Sequence, residues 1–224
     1  IVKFDEHQKM PTTRIEYSYY LMAVDAGLQM MPSRLLEGEQ TAHFLTERFD
    51  RRNGKKVHIQ TLAAMNPSAD SYEALFEAAC RIGVPPGELR QLFRSMVLNV
   101  LGGNVDDHNK NFSFLMDDDG HWHVAPAYDY TFSVDPDAPY YVNRHSMTVN
   151  NKTEGITAED LLEVARRYGI KAAEPFIEKA IGIVSHYPEY GREAGVGEEW
   201  IGTIEKEIAA RIECVSDNRA DRLK

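Results

Sequence analysis

The sequence predicts an α+β fold in which a strand-rich N-terminal part, to about residue 54, precedes a mainly helical remainder. Three observations carry this. Strand-like runs at Ser33–Gly38 and Thr41–Asp50 lie early in the chain, before any long run of helices. From Ser71 onward, apolar residues recur mostly at helical spacing. The two patterns meet at Gly102–Asp129, where a helix stops at paired glycines and a polar loop leads into a hairpin.

Taken in order, Ile1–Phe4 reads as a strand end, with Lys3 between apolar neighbours. A chain opening inside a strand reads as a fragment, or as the ordered part of a longer protein. Lysine at such a place is commonly an edge-strand guard. Pro11-Thr12-Thr13 opens a helix to about Ala26, closed by Gly27, with Ile15, Tyr19, Met22 and Ala26 on one face. Thr13-x-x-Glu16 has capping-box spacing, a local device contributing about 1 kcal/mol. Ser33–Gly38 and Thr41–Asp50 are two strands joined by a turn at Glu39-Gln40. Asn53-Gly54 then marks a type I′ hairpin turn, so Arg51, Arg52, Lys55 and Lys56 read as its solvated tip rather than a nucleic-acid patch.

Met65-Asn66-Pro67-Ser68 is loop. Ser71–Ile82 and Pro86–Leu101 are core helices joined at Gly83-Val84-Pro85. Leu75, Phe76, Ala79 and Ile82 form the stripe of the first; Leu92, Phe93, Met96, Val97, Val100 and Leu101 form that of the second. Tyr130–Gly155 has little periodicity and is long for a connection, which marks it as functional or mobile. Thr157–Asp160 caps a helix through Tyr168, stopped by Gly169. Glu174–Ser185 and Gly197–Cys214 are further helices, the last striped by Trp200, Ile201, Ile204, Ile208 and Ile212. The charged tail Asp217–Lys224 frays.

Chemistry concentrates between Gly102 and Asp129. After the glycines, Asn104–Asn111 is too rich in Asp and Asn to be helical. Phe112–Leu115 alternates as a strand, Asp117–Gly120 turns, and Trp122–Ala125 resumes the sheet. Asp106-x4-Asn111 followed by a later aspartate is a spacing that phosphoryl transfer uses: one carboxylate takes the acceptor's proton, while an Asn and a second Asp offer hard oxygens to Mg²⁺. Solvated Asp/Asn turns carry the same bare spacing. The helix stop, the hairpin, and Asp129 set in an apolar Ala-Pro-Ala-Tyr run favour the catalytic reading.

Asp106-Asp107-His108-Asn109-Lys110-Asn111-Phe112-Ser113 together with Ala125-Pro126-Ala127-Tyr128-Asp129 resembles the catalytic and metal-binding loops of HipA-type serine/threonine kinases, the toxin halves of bacterial toxin–antitoxin pairs. Thr46–Arg51 resembles that family's interlobe hinge, Ile1–Phe4 its lysine-bearing strand, and Ser146–Asn150 a segment that follows the metal-binding aspartate. The resemblance implies a bilobal protein-kinase-like fold, with a truncated small lobe and hinge over residues 1–54 and a mainly helical large lobe over 55–224.

It implies Asp106 as catalytic base and Asn111 and Asp129 as Mg²⁺ ligands. Lys3 would contact the ATP phosphates, and Glu47 to Asp50 would lie at the nucleotide, with backbone groups of Glu47 to Phe49 at the adenine edge. His108 orients Asp106 or an acceptor, or holds the loop; Glu16 caps its helix or pairs with Lys3. The implied partners are a protein with a Ser/Thr acceptor and a DNA-binding antitoxin. The implied phosphate loop precedes Lys3, outside this sequence.

Asp106-x-His108-x-x-Asn111 also resembles the catalytic loop of phosphoinositide-type lipid kinases, which leaves a lipid or small-molecule kinase as an alternative. A non-catalytic kinase-shaped partner of an antitoxin is another, and a metal-dependent hydrolase a third, though it leaves the hinge motif unexplained. Acidic residues outnumber basic ones by 35 to 25, for a net charge of −10, which opposes direct nucleic-acid binding and an anionic membrane surface. Cys80 and Cys214 lack C-x-x-C spacing and suit a reducing cytoplasm. No apolar run approaches transmembrane length. His121 and His123 share a strand face but have no Cys or carboxylate at ligand spacing, and read as surface residues.

Overall fold

The computed structural model describes residues 1–5, 10–39, 41–139 and 142–217. The expected fraying of the tail falls largely on 218–224, outside the described residues, as does Gln40 of the first turn.

The first sheet has the order β1-β3-β2, built from β1 (Val2–Lys3), β2 (Ser33–Glu37) and β3 (Ala42–Thr46), all antiparallel. Lys3 lies opposite Phe44, so the strand register fixes where its side chain emerges. β3 ends at Thr46, earlier than the expected Asp50, because the chain turns before the hairpin of β4 (Arg51–Arg52) and β5 (Lys55–Lys56). Asn53 and Gly54 take φ of 50° and 77°, as a type I′ turn requires.

Helix α1 (Thr12–Ala26) is stopped by left-handed Gly27 and buries the predicted face. The capping box at its start does not form. The helix begins one residue before Thr13, whose hydroxyl donates to Ala42 O on β3 at 2.6 Å, and Glu16 finds a tertiary partner instead.

A second antiparallel sheet, β6-β7-β8, comprises β6 (His58–Thr61), β7 (Ser113–Met116) and β8 (Trp122–Val124). The hairpin β7–β8 follows the sequence pattern; β6 and the single turn α2 (Leu62–Met65) after it do not announce themselves there. Six helices complete the described fold: α3 (Tyr72–Arg81), α4 (Leu89–Gly102), α5 (Ala158–Arg167), α6 (Ala173–Val184), α7 (Tyr187–Glu193) and α8 (Glu198–Ser216). α4 starts at Leu89 rather than Pro86, and α7 is an addition to the expected set. The capping box of α5 forms as read, Thr157 and Asp160 each bonding the other's backbone. Among the described residues, no helix is long and apolar enough to cross a membrane.

One core joins α1 to the later helices. Tyr19 is its hub, with ring centroids 5.2 Å from Tyr130 and 5.6 Å from Tyr187. Its hydroxyl donates to Gly102 O. Gly102 permits both rings to approach, since a Cβ there would sit 3.1 Å from Tyr19 Cε1 and 2.7 Å from the Tyr130 hydroxyl. Gly103 then takes φ of 69° and ends α4 where the polar loop begins.

Candidate active site

Three distant segments meet at Lys3. Its ammonium donates to Glu16 Oε1 on α1 at 2.7 Å and to Asp129 Oδ1 beyond β8. Burial pulls the lysine's pKa down, but Glu16 and Asp129 outweigh it and the net direction is up. Burial also pushes the Glu16 carboxyl up, and Lys3 opposes that without overcoming it. Glu16 is therefore the lysine's partner rather than a helix cap.

Asp129 has a left-handed backbone, φ 57°, uncommon for a residue with a Cβ. The turn separates two anchored neighbours. Tyr130 donates from the core to Leu98 O at 2.9 Å, while Tyr128 donates to Lys110 O at 2.8 Å and faces Phe49 at 5.4 Å between ring centroids.

These residues border a cleft of about 390 Å³. Lys3, Glu16, Glu47, Phe49, Asp50, Lys110 and Asp129 line it, with Met30, Phe44 and Tyr128 among its apolar walls. Lys3, Glu47, Phe49, Asp50 and Asp129 are thus brought together. The Asp50 carboxylate is already engaged by Arg48, at 2.8 and 2.6 Å, and by Arg51 at 2.6 Å. Its hydrogen bond to Arg48 heads the causes that hold its pKa low despite partial desolvation.

The loop after α4 alternates its anchors. Asp107 is fully buried, and its carboxylate accepts from Tyr72 OH at 2.7 Å, His145 Nδ1 at 2.9 Å, and the backbone N–H groups of Ser146 and Met147 at 2.8 and 3.4 Å. Asn109 donates to Ala69 O at 2.9 Å. Asp106 points the other way, its side chain 67% exposed, while its N–H donates to Ser133 Oγ at 3.0 Å and its carbonyl accepts from Asn111 Nδ2 at 2.9 Å. His108 Nε2 lies 3.8 Å from Asp106 Oδ1, and its buried Nδ1 has no hydrogen-bond partner among the described residues. Asp106, His108 and Asn111 do not line the cleft holding Lys3; Lys110 is the loop residue that reaches it.

Sequence reasoning gave Asp107, Tyr72 and His145 no role. The Asp-Asp doublet was the available signal, but nothing local says which of two adjacent carboxylates turns inward. The long segment 130–155 is packed rather than loose where described, burying Tyr130, Phe132, Val134, His145, Met147 and Val149.

Contrary to the sequence expectation, His121 and His123 have carboxylate neighbours in space. One potential ligand atom each of Asp117, Asp119 and His121 lies within 4.8 Å of the others in the turn, so carboxylates do stand near His121. His123 bonds Glu88 at 2.8 Å and Asp117 at 3.2 Å.

Residues 1–189 match the family of HipA-like C-terminal domains. The chain belongs to that family. Among solved structures, this HipA-like chain is similar to one from the Shewanella oneidensis MR-1 HipA, HipB and operator DNA complex, with TM-score 0.72, 20% identity, and coverage of 96% of this chain and 57% of that one. It is also similar to the Helicobacter pylori proinflammatory kinase CtkA, with TM-score 0.60, 17% identity, and coverage of 96% and 90%. A curated relative from Sinorhizobium fredii, named "Putative kinase Y4mE", is 25% identical over 134 residues, which is 53% of this chain and 32% of that protein. The HipA-like chain therefore spans about a third of the curated relative. The kinase-like α+β architecture is shared with both solved structures.

Proposed function

We propose that the protein transfers the terminal phosphoryl group of ATP to a serine or threonine hydroxyl on another protein, with Mg²⁺, as the cytoplasmic toxin kinase of a pair whose antitoxin binds DNA. The observation that carries it is the convergence of Lys3, Glu16 and Asp129 in one cleft, which Lys110, from the loop that bears the outward-facing Asp106, also reaches. In this reading residues 1–54 are the rest of a small lobe and hinge, and 55–224 the large lobe. The antitoxin is supported by the HipB partner named with the Shewanella structure.

The residues present suit Mg-ATP. Asp129 and Asn111 would hold the metal through oxygen, since the Asn111 amide nitrogen is already committed to the loop. When bound, Mg²⁺ neutralises charge on the phosphates. Lys3 is held extended by Glu16 and presents its charge to phosphate oxygens. Glu47 and Phe49 border the space for the base, and Asp50 stiffens the hinge through its two arginines. Asp106, exposed on a pinned loop, accepts the proton of the attacking hydroxyl. His108 turns Nε2 toward the Asp106 carboxylate, at 3.8 Å, placed to orient that base. Catalysis on this account is mostly positioning.

Thermal unfolding of the full-length protein with and without Mg-ATP tests the reading. At a hundred times Kd, ligand stabilises by about 2.7 kcal/mol. Asp106→Asn is expected to keep that shift and lose turnover, whereas Asp129→Asn loses the shift itself. No shift in the wild type at millimolar Mg-ATP would defeat the proposal.

A further inference from the structure

The Asp107 anchor continues, through buried side chains, to the C-terminal helix. His145, 2% exposed, donates from Nδ1 to Asp107 Oδ2 at 2.9 Å. Its other nitrogen, Nε2, faces Arg211 Nη1 on α8 at 3.2 Å. A guanidinium only donates, so Nε2 must accept, and that assigns the ring proton to Nδ1, facing Asp107. Arg211 is itself fixed: Nε donates to Glu207 Oε1 at 2.8 Å, and Nη1 also donates to Val100 O at 3.3 Å, in the last turn of α4. A Cβ on Gly103 would lie 3.3 Å from Arg211 Nε, so the guanidinium also covers the residue where α4 gives way to the loop. Arg211 thus contacts the helix end before the loop and, through His145, the carboxylate inside it. It lies beyond residues 1–189, the part that matches the family.

We propose that Arg211 and His145 are positioning residues for the loop that carries Asp106, so that α8 sets the geometry of phosphoryl transfer from the far side of the core. The proposal rests on the kinase reading above. Neither residue touches substrate; each acts through Asp107, one peptide unit from Asp106. Removing Arg211 frees the His145 ring to change tautomer or rotate, and Asp107 then loses a side-chain donor that holds it.

The test is a double-variant cycle in the full-length protein, with Arg211→Ala, His145→Asn and the two combined. Asn keeps a donor near the Nδ1 position but cannot reach Arg211. Each single variant is expected to lower kcat by about ten- to a hundred-fold, as small misplacements of reacting groups do, with KM for ATP within two-fold. Because both act in one chain, the double variant falls no further than the worse single. A cavity of about 190 Å³ lined by His145, Glu207 and Arg211 adjoins the site, so millimolar guanidinium should restore part of the Arg211→Ala turnover. If Arg211→Ala does not fold, Arg211→Lys, which supplies one donor centre in place of a fork, is measured in its place with the same expected split.

Amide hydrogen exchange over residues 104–111 gives a reading independent of turnover. It should quicken in Arg211→Ala and His145→Asn, with wild-type rates elsewhere in α3 and α4. Quickened exchange in a protein without phosphotransfer would sink the kinase reading and leave the positioning role standing. Unchanged exchange and kcat in both singles, or losses that multiply in the double variant, would overturn the positioning role while leaving the kinase reading intact.

Discussion

Asp106 and Asp107 are neighbours with opposite surroundings. The first is mostly exposed and uses only its backbone to hold the loop; the second is fully buried and accepts from two side chains and two backbone N–H groups. A buried carboxylate is tolerated where its lone pairs are filled, and then it fixes its surroundings. An exposed one has little effect on stability and is free to do chemistry. On the proposed function, anchoring and chemistry are thus divided between adjacent residues on the two faces of one loop.

The largest expected break in that contrast is Asp107→Ala, which strands Tyr72 OH, His145 Nδ1–H and two backbone donors. It should cost about 3–5 kcal/mol in denaturant unfolding, against less than about 0.5 kcal/mol for Asp106→Ala. Comparable losses at both positions would erase the division of labour. Next comes Gly102→Ala, which drives a Cβ against the Tyr130 hydroxyl and should destabilise by about 1–3 kcal/mol. It acts on the anchored face, so a wild-type melting curve would contradict the packing described.

On the cleft face, Glu16→Gln removes one of the two carboxylates holding Lys3. Stability should change by less than about 1 kcal/mol, because the lysine end of the pair is open to solvent and Gln relieves the burial of the Glu16 charge, while Mg-ATP affinity falls through the loosened lysine. A calorimetric titration that finds unaltered affinity would separate Lys3 from the nucleotide.

The smallest effect lies in the exposed turn. The backbone N–H of His121 and the His123 ring, with other donors, hold the Asp117 carboxyl down to about 2, while Glu88 and Asp117 raise His123 above 6.5. A depressed carboxylate stabilises above its ordinary 3.8, and that contribution is lost as pH falls toward 2. A raised histidine stabilises below 6.5 and loses its contribution as pH rises through its folded value. Asp117→Asn should therefore flatten the acid limb of melting temperature against pH and shrink the neutral one, where Glu88 still holds His123. An unchanged profile would show the turn to be uncoupled from folding.

Much of this was legible along the chain. The stripes of α1, α3, α4 and α8, the glycine stops at Gly27 and Gly103, the Asn53-Gly54 turn and the α5 capping box each depend on residues within a turn or two of one another. α2 and α7 were not, because one or two turns carry no period of their own. α7 holds its place through Tyr187 in the core and the close approach of Gly191 to Ile201.

By itself the sequence determined the longer helices, the hairpin turns, and the cluster of Asp, His and Asn on which the proposed chemistry rests. Only the tertiary structure decided that Glu16 serves Lys3 rather than its own helix, that Asp107 rather than Asp106 turns inward, and that Arg211 reaches the loop at all. Lys3 meets Asp129 across more than half the chain, and closing such a span costs entropy that local propensity cannot offset. That cost is met when the core around Tyr19, Tyr130 and Tyr187 has already brought the segments together.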